Sequence, residues 1–181
     1  MDSFGYHALC CPGRTMNHRH DLVANALSAI AHDAGFTVLV LLAAVVMVLS
    51  RPGITVFRPA DILLHLGDPR RTCVDTTVVS PVVAVMPVHF CPGAAAFLAE
   101  EAKYSKHFAA CEAAGDYFKA FAVDVFGVLA PDASALVNRF AALLETSQGF
   151  PSYLAKQLVF RRLSFAIHLG VARQLVSRRE F

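Results

Sequence analysis

Apolar and polar positions alternate along this chain with two different periods. From His20-Asp21 onward, Leu22, Val23, Ala26, Leu27, Ile30 and Ala31 recur at the i, i+3/i+4 spacing of an amphipathic helix. Asp21 suits its first turn and Gly35 a left-handed cap at its end. Phe36–Leu49 then runs for 14 residues without a charge. Its β-branched content predicts strands buried on both faces, followed by a turn at Pro52-Gly53. Ile54–Phe57 and Ile62–Leu66 read as short strands, and Gly67-Asp68-Pro69 as a turn. Cys73–Ser80 (CVDTTVVS) is the clearest strand, bounded by turn residues. Helix is expected over Ala94–Ala114, strand over Tyr117–Val128, and helices from Pro131 to Thr146 and from Pro151 to Ser177.

The order is helix, three or four strands, helix, strand, helix, helix. That predicts an α/β (α+β) domain with a mixed central sheet flanked by helices and extra helices at the C-terminal end. The length of 181 residues suits one domain with one sizeable core. A composition that is 56% hydrophobic and 17% charged excludes disorder. As a helix the Phe36–Leu49 run would span roughly 21 Å at about 1.5 Å per residue. A bilayer core is about 30 Å thick, so a membrane span is the lesser reading, kept as an alternative of a small membrane-associated protein. Five cysteines (Cys10, Cys11, Cys73, Cys91, Cys111) imply no disulfide framework and a reducing compartment, and no secretory leader is visible.

The net charge is only +2, but it is unevenly placed. The first 94 residues hold six basic and six acidic side chains, whereas residues 151–181 hold six basic and one acidic. Such a tail fits a solvated helix face or an anionic partner.

Three clusters carry candidate chemistry. Asp61 opens one strand and Asp75 sits mid-way along the next. A carboxylate in a buried strand is costly unless paired or on a cation. Two that meet at a sheet edge suit Mg²⁺ or Mn²⁺. The competing reading has Asp61 capping a turn and Asp75 facing solvent. Lys103 and Lys106 share one helix face at i, i+3, either as solvated charges or as amines beside that pair. His7, Cys10, Cys11, His18 and His20 offer enough donors for Zn²⁺, though their spacing matches no common zinc module. The alternative is unliganded polar residues near a terminus.

Together these residues resemble a family. Their order is similar to the restriction-like endonuclease domain, PD-(D/E)xK-like, found downstream of the reverse transcriptase in non-LTR retrotransposon polyproteins. DSFGYHALCC resembles the distal part of a Cys/His knuckle, with His7 and Cys10 at ligand positions. Arg19-His20-Asp21 resembles the family's helix signature, and Arg58-Pro59-Ala60-Asp61 its basic-Pro-Asp motif with one residue inserted. Asp75 falls at the second acidic position. Lys103-x-x-Lys106 resembles the lysine helix, with His107 where Tyr would stand. Asp124–Gly127 and Arg161–Arg173 resemble the family's tail. Thr77 stands where that fold commonly has its lysine, and Val40–Ala44 lacks the Glu that often follows the first strand.

The resemblance implies an isolated or degenerate fragment of such a polyprotein. Residues 1–20 would be a partial knuckle and residues 21–181 a restriction-endonuclease-like domain. It implies a metal-dependent DNA endonuclease that nicks target DNA, intracellular and nuclear, with no small-molecule substrate. Asp61 and Asp75 would hold Mg²⁺ or Mn²⁺, and Lys103 or Lys106 would supply the amine. Arg19, Arg58, Arg70, Arg71, Arg161 and Arg162 would contact DNA, with RNA or a reverse transcriptase module as further partners. The rival reading is a non-catalytic nucleic-acid-binding or interaction remnant of the same fold.

Overall fold

The computed structural model describes residues 9, 14–40, 60–82 and 91–177. The elements run α1 (Arg14–Asp33), β1 (Thr37–Val40), β2 (Ile62–His65), β3 (Thr72–Val79), α2 (Ala94–Ala113), β4 (Tyr117–Asp124), α3 (Pro131–Gln148) and α4 (Ser152–Val176). The described strands form one mixed sheet in the order β1-β2-β3-β4. β1 with β2 and β2 with β3 are antiparallel, while β3 and β4 are parallel. Parallel neighbours need a crossover, and α2 is that crossover. His7, Cys10, Cys11, Arg58, the strand expected at Ile54–Phe57 and the turn at Pro52-Gly53 lie outside the described residues.

Side-chain alternation sorts the two faces of the sheet. Ile62, Leu64, Val74, Val78, Phe121 and Val123 share the main core with α1, α3 and α4. Cys73, Phe118 and Ala120 face the other way and pack with Cys111 of α2. α1 ends as its glycine predicts. Gly35 has φ 93°, its N–H donates to the His32 carbonyl, and the Phe36 N–H donates to the Ala31 carbonyl. This doubly bonded cap drops Phe36 into the core, edge-on to Phe140 of α3.

Four expectations shift. α1 starts at Arg14, not His20, and so runs through the boundary drawn between residues 20 and 21. Arg19, polar by type, occupies an interior-facing position and extends the packed face backward. β1 was expected to be buried on both faces. Its described residues pair with β2 and alternate between exposed and half-buried, and β1 is the end strand of the described sheet. β4 stops at Asp124 rather than Val128. The buried Asp124 carboxylate accepts the N–H groups of Phe126 and Val128, each at 2.9 Å, and turns the chain before Gly127. α3 runs two residues past Thr146, to a left-handed Gly149. Among the described residues, no helix is long and apolar enough to cross a membrane.

The contact between α1 and α4 is closest at Gly170. A Cβ there would lie 2.9 Å from Arg19 Cγ and 3.0 Å from Arg19 Cα. The absent side chain is what lets Arg19 lie flat against α4. Arg19 donates from Nη1 to Gln174 Oε1 at 2.9 Å and from Nη2 to the Val78 carbonyl at 2.8 Å.

Candidate metal-ion and phosphate site

The two aspartates meet across a strand pair. Asp61 enters immediately before β2, whose first residue Ile62 pairs with Val74, the neighbour of Asp75. The Asp61 N–H donates to the Val74 carbonyl at 3.1 Å and keeps the incoming chain on β3. The two carboxylates interact: a hydrogen bond with Asp75 helps to lower the Asp61 pKa, and the Asp61 charge helps to raise that of Asp75.

Each carboxylate also has its own cation. His20 Nε2 lies 2.9 Å from Asp61 Oδ2, which also accepts the Thr76 N–H at 2.8 Å. Lys103 Nζ lies 2.9 Å from Asp75 Oδ2, and His107 Nε2 lies 3.4 Å from the same oxygen. Lys103 and His107 are four residues apart on α2 and so share a face. Lys106 is exposed.

Environment splits the pair. Burial pushes the Asp75 carboxyl up, only partly opposed by the Lys103 ammonium, and the Asp61 charge adds to the rise. Burial acts upward on Asp61 too. There it is outweighed by the His20 hydrogen bond and charge together with the Thr76 N–H and Asp75, so Asp61 sits below the usual carboxylate range. The hydrogen bond to Asp61 raises His20 to about 9 against the pull of burial. Burial lowers the His107 pKa, which keeps that ring neutral at physiological pH.

No protein-family model matches the chain, and no curated protein matches it. The resemblance to retrotransposon endonucleases rests on the order and spacing of the sequence motifs alone.

The remaining candidates fall in different places. His18 and His20 both lie on α1, two residues apart, and point away from each other. A single zinc ion cannot take both, and the His20 ring is held between Asp61 and Asp21. Arg19, expected on DNA, is 1% exposed and bonded inside the molecule. Arg70 donates to Glu112 and to the carbonyls of Gly115 and Asp116, with its guanidinium 4.0 Å above the Tyr117 ring. Arg71 makes a two-pronged contact with Asp116, both bonds at 2.9 Å. These two arginines fasten the start of β3 to the start of β4. Arg161 is exposed on α4, and Arg162 pairs with Asp33 of α1. His107 is the residue that sequence reading left out of the site. Its i+4 spacing from Lys103 was the available signal.

Among the described residues, no three His, Cys, Asp or Glu side chains form a ready coordination shell. Two adjacent aspartates still fit Mg²⁺, which uses one or two carboxylates and keeps water and substrate phosphate for the rest of its octahedron. They do not fit a structural zinc centre, which wants four Cys or His donors.

The His20 shift fixes a pH response for the metal-free protein. Its folded pKa of about 9 exceeds the ordinary 6.5. The stabilisation is therefore fully present below about pH 6.5 and lost as pH rises through about 9. In EDTA, the Tm difference between the native chain and His20→Gln is expected to be largest near pH 6 and to shrink by pH 10. Thermal melts across that range check it. A constant gap would mean that His20 is not ion-paired.

Proposed function

We propose that this chain is a metal-dependent DNA endonuclease module, with a restriction-endonuclease-like core, of the kind found in non-LTR retrotransposon polyproteins. The observation that carries the reading is the meeting of Asp61 and Asp75 across β2 and β3 with the Lys103 ammonium on Asp75. The mixed sheet between helices is the architecture that the resemblance implies.

Asp61 and Asp75 would hold Mg²⁺ or Mn²⁺. When bound, the ion supplies Lewis-acid polarisation of the scissile phosphate and a more acidic water. The residues supply the rest. His20 and the Thr76 N–H fix the Asp61 rotamer and keep it ionised. Lys103 offers a buried-edge ammonium to the charge that develops on the phosphoryl oxygens. In the metal-free chain that ammonium neutralises Asp75 and must swing toward the phosphate when the cation binds. Neutral His107, beside the same oxygen, tolerates that exchange without adding positive charge.

The test is nicking of supercoiled plasmid by the purified chain in Mg²⁺ or Mn²⁺, with EDTA abolishing it. Lys103→Ala is expected to lower the rate by about 10²–10³-fold, the usual loss for one preorganised donor. Lys106→Ala should leave it within about twofold, because Lys106 points to solvent. Equal rates for all three proteins would overturn the assignment.

A second reading is a non-catalytic nucleic-acid-binding module. It is favoured by the cations already seated on both carboxylates. DNA binding without cleavage, and a Tm indifferent to Mg²⁺, would support that reading instead.

A further inference from the structure

α4 is 25 residues long and contains Lys156, Arg161, Arg162 and Arg173 but no Asp or Glu. The sequence has no acidic residue from 146 to 179. One side of the helix is spent on the core through Ala155, Val159, Leu163, Ile167 and Gly170. Phe165 stands opposite that side at 70% exposure, and Tyr153 and Phe160, seven residues apart, stand on its flank at 69% and 46%. A broad open depression of about 860 Å³ lies among Phe160, Arg161, Phe165 and His168. Exposed aromatic rings on an already packed helix are unfavourable in water unless something covers them.

The placement of charge says what covers them. Leu154, Arg161, Phe165 and His168 follow at intervals of seven, four and three, which is one stripe on a helix. Around the helix the arginine lies between the rings of Phe160 and Phe165, not outside them, and all three line the same depression. A helix built to enter a lipid surface segregates its charges to the polar side. A second copy of this chain would bring two acid-free, positive faces together, which repel. The remaining partner combines negative charge with flat apolar faces at close spacing. Single-stranded nucleic acid does so, with phosphates for the arginines and bases for the rings.

We infer that the outer face of α4 is a single-strand nucleic-acid platform, with Phe160 and Phe165 stacking bases and Arg161 contacting a phosphate. This deepens the nucleic-acid reading above and is separate from the carboxylate site. α4 packs on α1 and α3, whereas Asp75 faces α2. Recognition there is sequence-tolerant, because every base has a stacking face.

The experiment uses the full chain in EDTA and a fluorescent dT20, followed by anisotropy across a salt series. The comparison ligands are a 20-base-pair duplex and vesicles of neutral lipid with phosphatidylserine. The native chain should bind dT20 more tightly than the duplex. Phe165→Ala should weaken dT20 by at least about fivefold. Arg161→Gln should reduce the salt slope by about 0.7. Both side chains are exposed, so the Tm of each variant should match the native chain, and it is measured to exclude misfolding. Unchanged dT20 binding in Phe165→Ala overturns the inference. So does a preference for the duplex or the vesicles, or concentration-dependent dimerisation that Phe165→Ala abolishes. Failure of the nuclease reading then shows in the nicking assay alone, and failure of this one in the dT20 arms alone.

Discussion

Asp75→Asn is expected to lower Mg²⁺-dependent nicking by about 10²–10⁴-fold and, in EDTA, to raise the melting temperature. The two effects share one cause. Asn keeps the shape of Asp but removes the charge that a divalent cation needs, and a metal ion contributes several kcal/mol to the transition state. At about 1.4 kcal/mol per tenfold, that is two to four powers of ten. In the metal-free fold the same charge is a liability. Burial and the neighbouring Asp61 carboxylate both push the Asp75 pKa up, so its ionised form is disfavoured. A group with a raised folded pKa loses stability as pH climbs past its unfolded value, and Asn carries no such loss. The measurements are nicking rates in Mg²⁺ and paired melts with EDTA or Mg²⁺. The native chain should be stabilised by Mg²⁺ and the variant should not. A variant that nicks normally, or that melts lower in EDTA, would refute the account. This is the pattern of a site that gives up stability for function.

Arg19→Ala should cost about 3–5 kcal/mol of folding stability, the largest loss expected from a single change here. It leaves a cavity between α1 and α4. It also removes the partners of two buried acceptors, the Val78 carbonyl and Gln174 Oε1. At about 2–4 °C per kcal/mol for a chain of this size, the melting temperature should fall by about 6–20 °C. Arg19→Lys should recover little, because one ammonium cannot span both acceptors as a planar guanidinium does. If Arg19 instead served a DNA surface, Arg19→Ala would weaken binding and leave the melt unchanged.

That contrast marks how far the sequence could be read. The order of elements was legible because helix and strand periods differ and glycine and proline punctuate the chain. The meeting of Asp61 and Asp75 was one of two readings the sequence left open, the other having Asp75 face solvent. A charge inside CVDTTVVS is out of place unless an opposite charge answers it, and Lys103 of α2 is that charge. What sequence could not settle was direction. Arg19 and His20 are adjacent letters in a polar stretch, and both were given external roles, DNA and zinc. Only the helix phase shows that one turns inward and the other toward Asp61. Lys103 and Lys106 were equivalent by type. The tilt of α2 over β3 brings Lys103 to Asp75 and leaves Lys106 exposed. Thr77 was noted as the missing lysine of the strand, and the amine arrives from a helix instead. Thr37–Val40 is less buried than its β-branched residues suggested, because such residues mark a strand without saying how its faces are covered.

The adjacency of Arg19 and His20 has a mechanical meaning. Arg19 clamps α1, through close contact with Gly170 and a bond to Gln174 on α4 and a bond to β3. His20, one residue on, inherits that rigidity and passes it to Asp61. The position of the Asp61 carboxylate is thus set through α1, whose seat against α4 lies away from the carboxylate pair. Drift in that seat would detune the site without altering any residue in it.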